Sequence, residues 1–248
     1  MKGTVIQVGD GRGFVIATKE ARYVVTAAHC LPNLPPADPA AYTQDRTYRD
    51  FLGPLGGRRD VWAECVFANP VADLAVLAQP DGQELSDRAD AYDKLIEAAT
   101  PFTVGKLQSP RRPRGLPGDP ASSDAQMLSL DGEWFACRIT SFGLVLWVEA
   151  AAQPIKGGMS GSPIILPDGG AVGVVCTGNQ RDDGANAPLD TGTGGPNPML
   201  FDQLPAWLAR ANSHASSGEP TPSVQTGAGG MPRSLRRQRL ALAGLANV

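Results

Sequence analysis

Short apolar runs that end at turn residues are the feature that most constrains how this chain can fold. Such runs fill residues 3–80 and 102–152, where Gly, Pro, Asn and Asp separate stretches with the composition of β-strands. Asp131-Gly132 and Asp168-Gly169 each lie between two of these stretches, a position in which Asp-Gly is typical of a hairpin turn. The sequence therefore predicts a fold built mainly from short strands joined by tight turns.

Two segments show helical spacing instead. In the acidic residues 82–100, apolar side chains recur every three or four positions and predict a helix that connects two strand regions. These apolar residues are Leu85, Ala89, Tyr92 and Ile96. Residues 201–211 repeat the spacing with Leu204, Trp207 and Leu208. By contrast, residues 31–60 are predicted to be irregular, and residues 179–198, rich in Gly, Asp, Asn and Pro, to form a long loop.

One glycine-flanked serine indicates chemistry. The segment reads Gly158-Met159-Ser160-Gly161-Ser162-Pro163. A serine that attacks a carbonyl needs its own N–H and that of the residue two places earlier to face the developing oxyanion, and glycine at 158 permits such a turn. Gly161 would leave room for the backbone of a substrate. The alternative interpretation is an ordinary turn before the strand at residues 164–166.

A serine hydroxyl needs a base to take its proton, and the chain offers two histidines. His214 lies in a polar, Ser-rich stretch, whereas His29 ends the apolar run at residues 23–30. A lone histidine there could equally be a hydrogen-bonded residue at the rim of a core. Asp73 opens another apolar run, and an ionised carboxylate at the head of a buried strand needs a partner. Asp73 is therefore predicted either to bond His29 or to lie exposed at a turn.

Together, the segments around His29, Asp73 and Ser160 resemble the trypsin/chymotrypsin-like serine peptidases, in that family's order of His, Asp and Ser. The resemblance covers roughly residues 3–210. It implies an all-β fold of two six-stranded antiparallel β-barrels with a C-terminal helix and the catalytic groups in the cleft between the barrels. It also implies that His29 is the general base, Asp73 its orienting carboxylate and Ser160 the nucleophile, with the N–H groups of Gly158 and Ser160 forming the oxyanion hole.

The same resemblance implies a domain organisation. The peptidase domain would span residues 1–212, followed by a flexible tail at 213–248. Its parts would be a first barrel at about 1–80, a connector at about 81–100, a second barrel at about 101–200 and a helix at about 201–211. Residues 11–16 resemble the strand that leads into the histidine hairpin.

A substrate pocket is also implied by the resemblance. The strand at residues 172–178 would line the pocket for the residue before the scissile bond, which makes Lys156, Cys176, Thr177 and Gly178 the candidate pocket residues. Residues 153–157 contain no aspartate, which argues against cleavage after Arg or Lys. Two options stay open. Lys156 could favour an acidic or small residue, or the later loop could supply negative charge through Asp182, Asp183 or Asp190.

Two departures from the family pattern are informative. Met159 stands where secreted members carry the aspartate that pairs with a newly cleaved amino terminus. Since methionine cannot accept that ion pair, activation by amino-terminal cleavage is not expected, and the chain resembles the bacterial, intracellular and HtrA-like branches. Ser162 stands where many members have a second glycine, and its hydroxyl could alter how closely substrate backbone approaches.

Cysteine usage and hydropathy bear on location. The chain has four cysteines, Cys30, Cys65, Cys137 and Cys176, and no Cys-x-x-Cys pair that would indicate a metal or redox motif. Cys30 lacks the partner on the preceding strand that secreted relatives have. Free thiols are typical of a reducing compartment. The amino terminus is too short an apolar stretch for a signal peptide, and no run approaches the roughly 18 apolar residues of a membrane span. We therefore predict a cytoplasmic protein with no cofactor, no metal and no membrane span.

Charge argues against nucleic acid as the main partner, because the net charge is −3 and the body of the chain is mildly acidic. Arg111, Arg112 and Arg114 form a small basic cluster that is either an anionic-partner patch or a solvated loop, and three arginines are few for firm phosphate binding. Residues 213–232 are too poor in apolar groups to fold alone. Residues 234–242 could form a short basic helix, which is either a docking segment for a regulatory partner or a frayed tail.

These patterns predict a serine endopeptidase that cleaves a protein or peptide substrate through an acyl-enzyme. By the resemblance, the chain is expected to be a regulated cytoplasmic bacterial protease that acts on one specific protein partner, with a role in stress or antiphage defence. The alternative is a catalytically silent module that uses the protease fold for binding or as a scaffold. An esterase is a weaker option, because the serine lacks the Gly-x-Ser-x-Gly strand-to-helix context.

Overall fold

Two six-stranded antiparallel barrels account for most of the computed structural model, which describes residues 4–38, 42–107, 120–176 and 194–208. All of these residues belong to one unit, Met1–Ser216. The described residues form far more strand than helix, as the frequent turn residues predict. The predicted all-β fold of two six-stranded barrels is confirmed.

The first barrel is closed, with the strand order β1-β2-β3-β6-β5-β4. Its strands are β1 (Val5–Val8), β2 (Gly11–Ala17), β3 (Arg22–Thr26), β4 (Thr47–Pro54), β5 (Val61–Asn69) and β6 (Leu74–Ala78). The interior is filled by side chains such as Val8, Val24, Leu52 and Leu77, each fully buried. Pairing of β3 with β6 sets Thr26 opposite Ala75, so the chain ends that carry His29 and Asp73 leave the barrel side by side.

The second barrel is nearly closed, with the strand order β11-β10-β7-β8-β9-β12. Its strands are β7 (Ser122–Leu128), β8 (Trp134–Phe142), β9 (Val145–Glu149), β10 (Pro163–Ile165), β11 (Ala171–Val174) and β12 (Gly194–Pro198). A bridge between Gly173 and Met199 brings the two outer strands together. The antiparallel pairing of β7 with β8 and of β10 with β11 confirms both predicted hairpins. Gly132 and Gly169 in their turns have φ values of +79° and +87°, which favour glycine.

Helices connect and close the barrels. Helix α1 (Ser86–Glu97) joins them, and its buried face consists of Ala89, Tyr92 and Ile96, as the spacing predicts. Tyr92 and Ile96 pack into the core of the first barrel. Arg22 of β3 fixes the end of α1 by donating to the carbonyls of Ile96, Glu97 and Ala99 at 3.1–3.4 Å. Near the C-terminal side, α2 (Leu200–Gln203) is followed by helical residues 206–208, with Leu204 and Leu208 buried.

One local prediction is wrong and two are only partly covered by the described residues. Residues 31–60 are not wholly irregular, because they contain the 3₁₀ helix Thr43–Arg46 and strand β4. Of the predicted loop at 179–198, only residues 194–198 are described, and they form strand β12, which pairs with β9. The predicted helix at 201–211 breaks at Pro205, and residues 209–211 lie outside the described residues.

Several further predictions also fall outside the described residues. These are the pocket residues Thr177 and Gly178, the basic cluster at 111–114, the acidic positions 182, 183 and 190, His214 and the tail at 213–248. Within the described ranges, no helix is long and apolar enough to cross a membrane. All four cysteines lie in those ranges and are free thiols, with Cys65, Cys137 and Cys176 buried and Cys30 partly exposed.

Candidate active site

His29 and Asp73 form a pair at the rim of the first barrel. The His29 ring Nδ1 lies 2.7 Å from Asp73 Oδ2, and the His29 backbone N–H donates to Asp73 Oδ1 at 2.8 Å. Each oxygen of the carboxylate thus binds a different atom of the same histidine. This double contact fixes the orientation of the imidazole and leaves its Nε2 directed away from the carboxylate.

Local backbone geometry brings the pair together. His29 lies in the single 3₁₀ turn Ala28–Cys30 that follows β3, and Asp73 immediately precedes β6. The Ala28 amide donates to the Asp73 carbonyl at 3.1 Å. Asp73 has a φ of +54°, a left-handed conformation that aspartate tolerates better than most residues. This turn aims the carboxylate at His29 instead of along the strand.

The pair is electrostatically coupled. The hydrogen bond to Asp73, with a smaller contribution from Cys30, raises the pKa of His29 above its ordinary 6.5. Burial alone would raise the pKa of Asp73, but the side-chain and backbone hydrogen bonds from His29 outweigh it and lower that pKa below 3.8. Asp73 is therefore a carboxylate near neutral pH, and it favours the protonated form of the imidazole.

Ser160 lies on the second barrel, in the second of two consecutive tight turns. The Met159 amide donates to the Lys156 carbonyl at 3.2 Å, and the Ser162 amide donates to the Met159 carbonyl at 3.0 Å. Gly158 and Gly161 occupy the third position of these turns with φ values of +84° and +82°, as a type II turn requires. Neither the Gly158 amide nor the Ser160 amide donates to another described residue.

Met159 anchors these turns by packing. Its side chain is 1% exposed and belongs to the core of the second barrel, together with Ile155 and Val175. Its sulfur also accepts a hydrogen bond from the Lys156 amide at 3.2 Å. An apolar anchor thus holds the segment where secreted trypsin-like peptidases, which the sequence resembles, have an aspartate.

Gly161 faces the first barrel. A Cβ added to Gly161 would overlap the Arg12 carbonyl oxygen and lie 2.6 Å from Thr26 Oγ1. The expectation that Gly161 leaves room for substrate is therefore wrong at this position. Glycine is needed because the turn that contains Ser160 lies directly against the backbone of β2.

Arg12 is a residue that the sequence reasoning did not single out. Its amide donates to the Ser160 carbonyl at 2.7 Å, and its own carbonyl accepts from the Thr26 hydroxyl at 2.7 Å. Arg12 as a whole is 4% exposed. Its guanidinium donates to the carbonyls of Leu128, Ser129 and Leu130 at 2.8–3.3 Å. Arg12 therefore ties β2 to both Ser160 and the β7–β8 turn. The only sequence signal was an arginine between two glycines inside an otherwise apolar strand.

The segments around His29 and Ser160 meet at Gly11. A Cβ added to Gly11 would overlap Cys30 Sγ and lie 2.8 Å from the Ser160 carbonyl oxygen. Cys30, the residue after the histidine, and Ser160 therefore border the same glycine. Within the described part of the chain, the Ser160 hydroxyl makes no hydrogen bond to His29.

The described pocket candidates, Lys156 and Cys176, differ in exposure. Lys156 is exposed. Cys176 is buried, and its thiol lies 3.3 Å from the Asp73 carbonyl oxygen while its amide donates to Asn197 Oδ1 at 2.9 Å. Burial and the nearby Asp73 charge raise the pKa of the Cys176 thiol, so it stays a neutral hydrogen-bond donor. Cys176 therefore supports the backbone of Asp73.

Ser162 is fully buried, so its hydroxyl lies away from any surface that substrate backbone could reach. That hydroxyl has no hydrogen-bond partner among the described residues. The expectation that it alters the approach of substrate is not supported by this position. No group of histidine, cysteine or carboxylate side chains within the described ranges could hold a metal ion.

Comparison with known proteins identifies the family. A family model described as a trypsin-like peptidase domain matches residues 11–174, which is more than half of the chain. A search of the curated proteins gives no match.

Solved structures that resemble the chain include two bacterial proteases. The inactive form of the Rv3671c protease is 17% identical with a TM-score of 0.42, covering 88% of this chain and 90% of that one. The apo protease domain of MamO from Magnetospirillum magneticum is 17% identical with a TM-score of 0.41, covering 80% and 93%. Since both TM-scores are below 0.5, the assignment depends on the family match, which spans the barrel strands from β2 to β11. By that match, the chain belongs to the trypsin-like peptidase family.

Proposed function

We propose that this trypsin-like peptidase is a serine endopeptidase that hydrolyses peptide bonds through an acyl-enzyme. The observation that carries the proposal is the 2.7 Å contact between His29 Nδ1 and Asp73 Oδ2. The turn that contains Ser160 lies against β2 at Gly11 and Arg12, and Cys30, the residue after His29, also borders Gly11. An imidazole held by a carboxylate on one nitrogen has its other nitrogen available to accept a proton.

The chemistry would proceed in two halves. His29 Nε2 takes the Ser160 proton as the oxygen attacks the substrate carbonyl, and the imidazolium, stabilised by Asp73, then protonates the leaving amine. Water attacks the acyl-enzyme in the second half, with His29 again accepting the proton. Because Asp73 raises the pKa of His29, the imidazole is a stronger base than free histidine, but a larger share of it is protonated at neutral pH.

We assign the oxyanion hole to the amides of Gly158 and Ser160. Both amides are free of acceptors among the described residues, and donors already fixed in position stabilise a developing oxyanion without reorganisation. Removing one such donor typically costs on the order of 10²- to 10³-fold in kcat. The substrate pocket before the scissile bond is assigned to Lys156, Cys176, Thr177 and Gly178.

We further propose that the enzyme works in the cytoplasm, as a regulated bacterial protease that cleaves a specific protein partner in stress or antiphage defence. The support for the compartment is that all four cysteines are free thiols, including three that are buried. A regulatory partner would contact the C-terminal tail at 213–248. Neither nucleic acid nor a metal cofactor has a part in this proposal.

A second candidate function is a binding or scaffold module that keeps the protease fold without catalysis. The observation that favours it is the missing hydrogen bond between the Ser160 hydroxyl and His29 among the described residues. In free enzymes such bonds are often long and tighten only when substrate binds, so catalysis remains the better-supported proposal.

A fluorophosphonate probe, which reacts covalently with an activated serine, separates the two candidates. We expect labelling of the wild-type protein and its loss in Ser160→Ala and His29→Ala. Ser162→Ala is a matched control, because this neighbouring serine is fully buried and should leave labelling intact. A folded wild-type protein that takes up no probe at any pH from 6 to 10 would favour the module. Labelling that survives in Ser160→Ala would place the nucleophile elsewhere.

A further inference from the structure

A large cavity adjoins the nucleophile turn on the side of the first barrel. It has a volume of about 720 Å³ and is lined by β1, the end of β4, the end of α1, the β7–β8 turn and Gly158. We propose that this cavity, which we call the leaving-side cavity, binds a large apolar side chain within the first two substrate residues after the scissile bond. The inference rests on the proposed function, because it takes Ser160 as the nucleophile.

The position of the cavity relative to Ser160 indicates which half of the substrate it holds. Neither Lys156 nor Cys176, the described residues assigned to the pocket before the scissile bond, lines it. Its walls include Arg12, whose amide holds the Ser160 carbonyl, and Gly158, one proposed oxyanion donor. A substrate peptide with the residue before the scissile bond near Cys176 would pass Ser160 and place the residues after the scissile bond in the cavity.

The available surface of the cavity is apolar. Leu55 and Leu130 stand at its mouth with 36% and 47% of their surface exposed, and Val5, Ile6 and Leu128 form buried walls. Exposed leucines at the rim of a concave surface favour an apolar ligand, since burying them removes apolar area from water. A volume of about 720 Å³ exceeds any single side chain, so backbone and a second residue also fit.

Most polar groups of the walls already have partners. The Arg12 guanidinium donates to three carbonyls of the β7–β8 turn. The Gln7 amide donates to the carbonyls of Gly9 and Gly11 at 3.0 and 2.8 Å, and Asp10 accepts from Arg59 at 2.7 Å. Asp131, the remaining charged residue of the walls, is exposed to solvent, as is Asp10, so water screens both carboxylates. Groups that are satisfied within the protein or screened by water gain little from a charged ligand, so the cavity should select by size and apolar surface. Arg12 acts as a positioning residue that fixes the wall carrying Leu130.

The test compares substrates that differ only after the scissile bond. Internally quenched peptides share one sequence before that bond and carry Ala, Leu, Phe, Asp or Lys at the first or second position after it. We expect kcat/KM for Leu or Phe to exceed that for Ala by about 10- to 100-fold at one of these positions, from the apolar area each larger side chain buries. Asp and Lys should be no better than Ala.

Variants connect that preference to the cavity. Leu55→Ala and Leu130→Ala, both at partly exposed positions and so expected to fold, should each reduce the Leu-to-Ala ratio several-fold. Leu144→Ala is the matched control, because Leu144 is 54% exposed in the β8–β9 turn and does not line the cavity. It should leave the ratio unchanged. A flat profile, a preference for Asp or Lys, or a ratio insensitive to both leucine variants would overturn the proposal.

A binding measurement separates this proposal from the proposed catalysis. Two fluorescently labelled peptides, one with Leu or Phe after the scissile bond and one with Ala there, are each titrated with Ser160→Ala protein. Their affinities are measured by fluorescence polarisation. Tighter binding of the apolar peptide, weakened by Leu55→Ala in the same background, would support the cavity even if the wild-type protein fails to react with a fluorophosphonate. Equal affinities for both peptides would refute the cavity proposal while leaving probe labelling of Ser160 unaffected.

Discussion

The contact between Gly161 and the first barrel makes a strong prediction for Gly161→Ala. The new methyl group would overlap the Arg12 carbonyl oxygen and approach the carbonyl carbon to 2.8 Å, so backbone would have to move. Gly169→Ala is the matched control, because Gly169 has a nearly equal φ of +87° but no atom within 4 Å of its added Cβ. The two variants share the conformational penalty of a left-handed alanine and differ in the steric one.

The expected magnitudes follow from these two terms. The left-handed conformation costs roughly 1–2 kcal/mol, which is the whole expectation for Gly169→Ala. Forcing a methyl into packed backbone adds about 1–3 kcal/mol, so Gly161→Ala should lose about 2–5 kcal/mol of unfolding free energy. Because natural domains have roughly 5–15 kcal/mol, the variant should still fold at low temperature.

Urea unfolding measured for both variants gives the free energies, and the rate of fluorophosphonate labelling reports on the nucleophile. Moving the turn away from Arg12 displaces Ser160, and a displacement of about 1 Å can reduce a rate by on the order of 100-fold. Gly169→Ala should label at the wild-type rate. If the two variants have unfolding free energies within about 0.5 kcal/mol of each other, the reasoning from the Arg12 contact is refuted.

Substitutions at three other positions test the site and its surroundings. Asp73→Asn should lower kcat by on the order of 10³- to 10⁴-fold. It should also lower the pKa of His29, so the ascending limb of the activity–pH profile, which lies above pH 6.5 in the wild type, should move toward pH 6.5. A limb that does not move would contradict the pairing of His29 with Asp73. The two pKa shifts affect the stability of the wild-type fold in opposite pH ranges. The raised pKa of His29 stabilises the folded protein below pH 6.5, and this stabilisation is lost as the pH rises through the pKa of His29 in the folded protein. The lowered pKa of Asp73 stabilises the folded protein above pH 3.8, and this stabilisation is lost as the pH falls through the pKa of Asp73 in the folded protein. Ser162→Ala removes a buried hydroxyl that has no partner among the described residues and should stabilise by about 1 kcal/mol in urea unfolding; a loss of stability would mean that the hydroxyl is hydrogen-bonded. Cys176→Ala should reduce kcat several-fold, and Cys176→Ser, which restores a donor to the Asp73 carbonyl, should recover it; equal effects would assign Cys176 a packing role only.

Short-range patterns were sufficient to predict much of the fold. The Asp-Gly turns at 131–132 and 168–169 and the helical spacing in 82–100 depend on neighbours within a few residues, and the structure has both hairpins and the helix α1. Strand β4 was missed for a local reason of another kind. Its register with β5 shifts between Tyr48 and Leu52, and Asp50 has a φ of +49°, so the alternation of apolar and polar residues that marks a strand is interrupted.

The contact between Asp73 and His29 could be predicted from the chemistry of one residue. A carboxylate at the head of a buried strand needs a hydrogen-bond donor, and Asp73 has His29. The roles of Arg12 and Gly161 could not be predicted in this way. Arg12 binds carbonyls 116–118 positions further along the chain, and the neighbour that requires glycine at 161 is Arg12 itself. Such contacts depend on how the barrels meet, which no local pattern specifies.

The distribution of the proposed catalytic residues over two barrels has a mechanical consequence. His29 and Asp73 move with the first barrel, whereas Ser160 is anchored in the second by Met159 and joined to the first through Arg12. Because a displacement of about 1 Å can reduce a rate by on the order of 100-fold, a small change in the distance between the barrels would alter the proposed reaction while both barrels stay folded. The proposed activity therefore depends on the contacts between the barrels as much as on the reacting groups themselves.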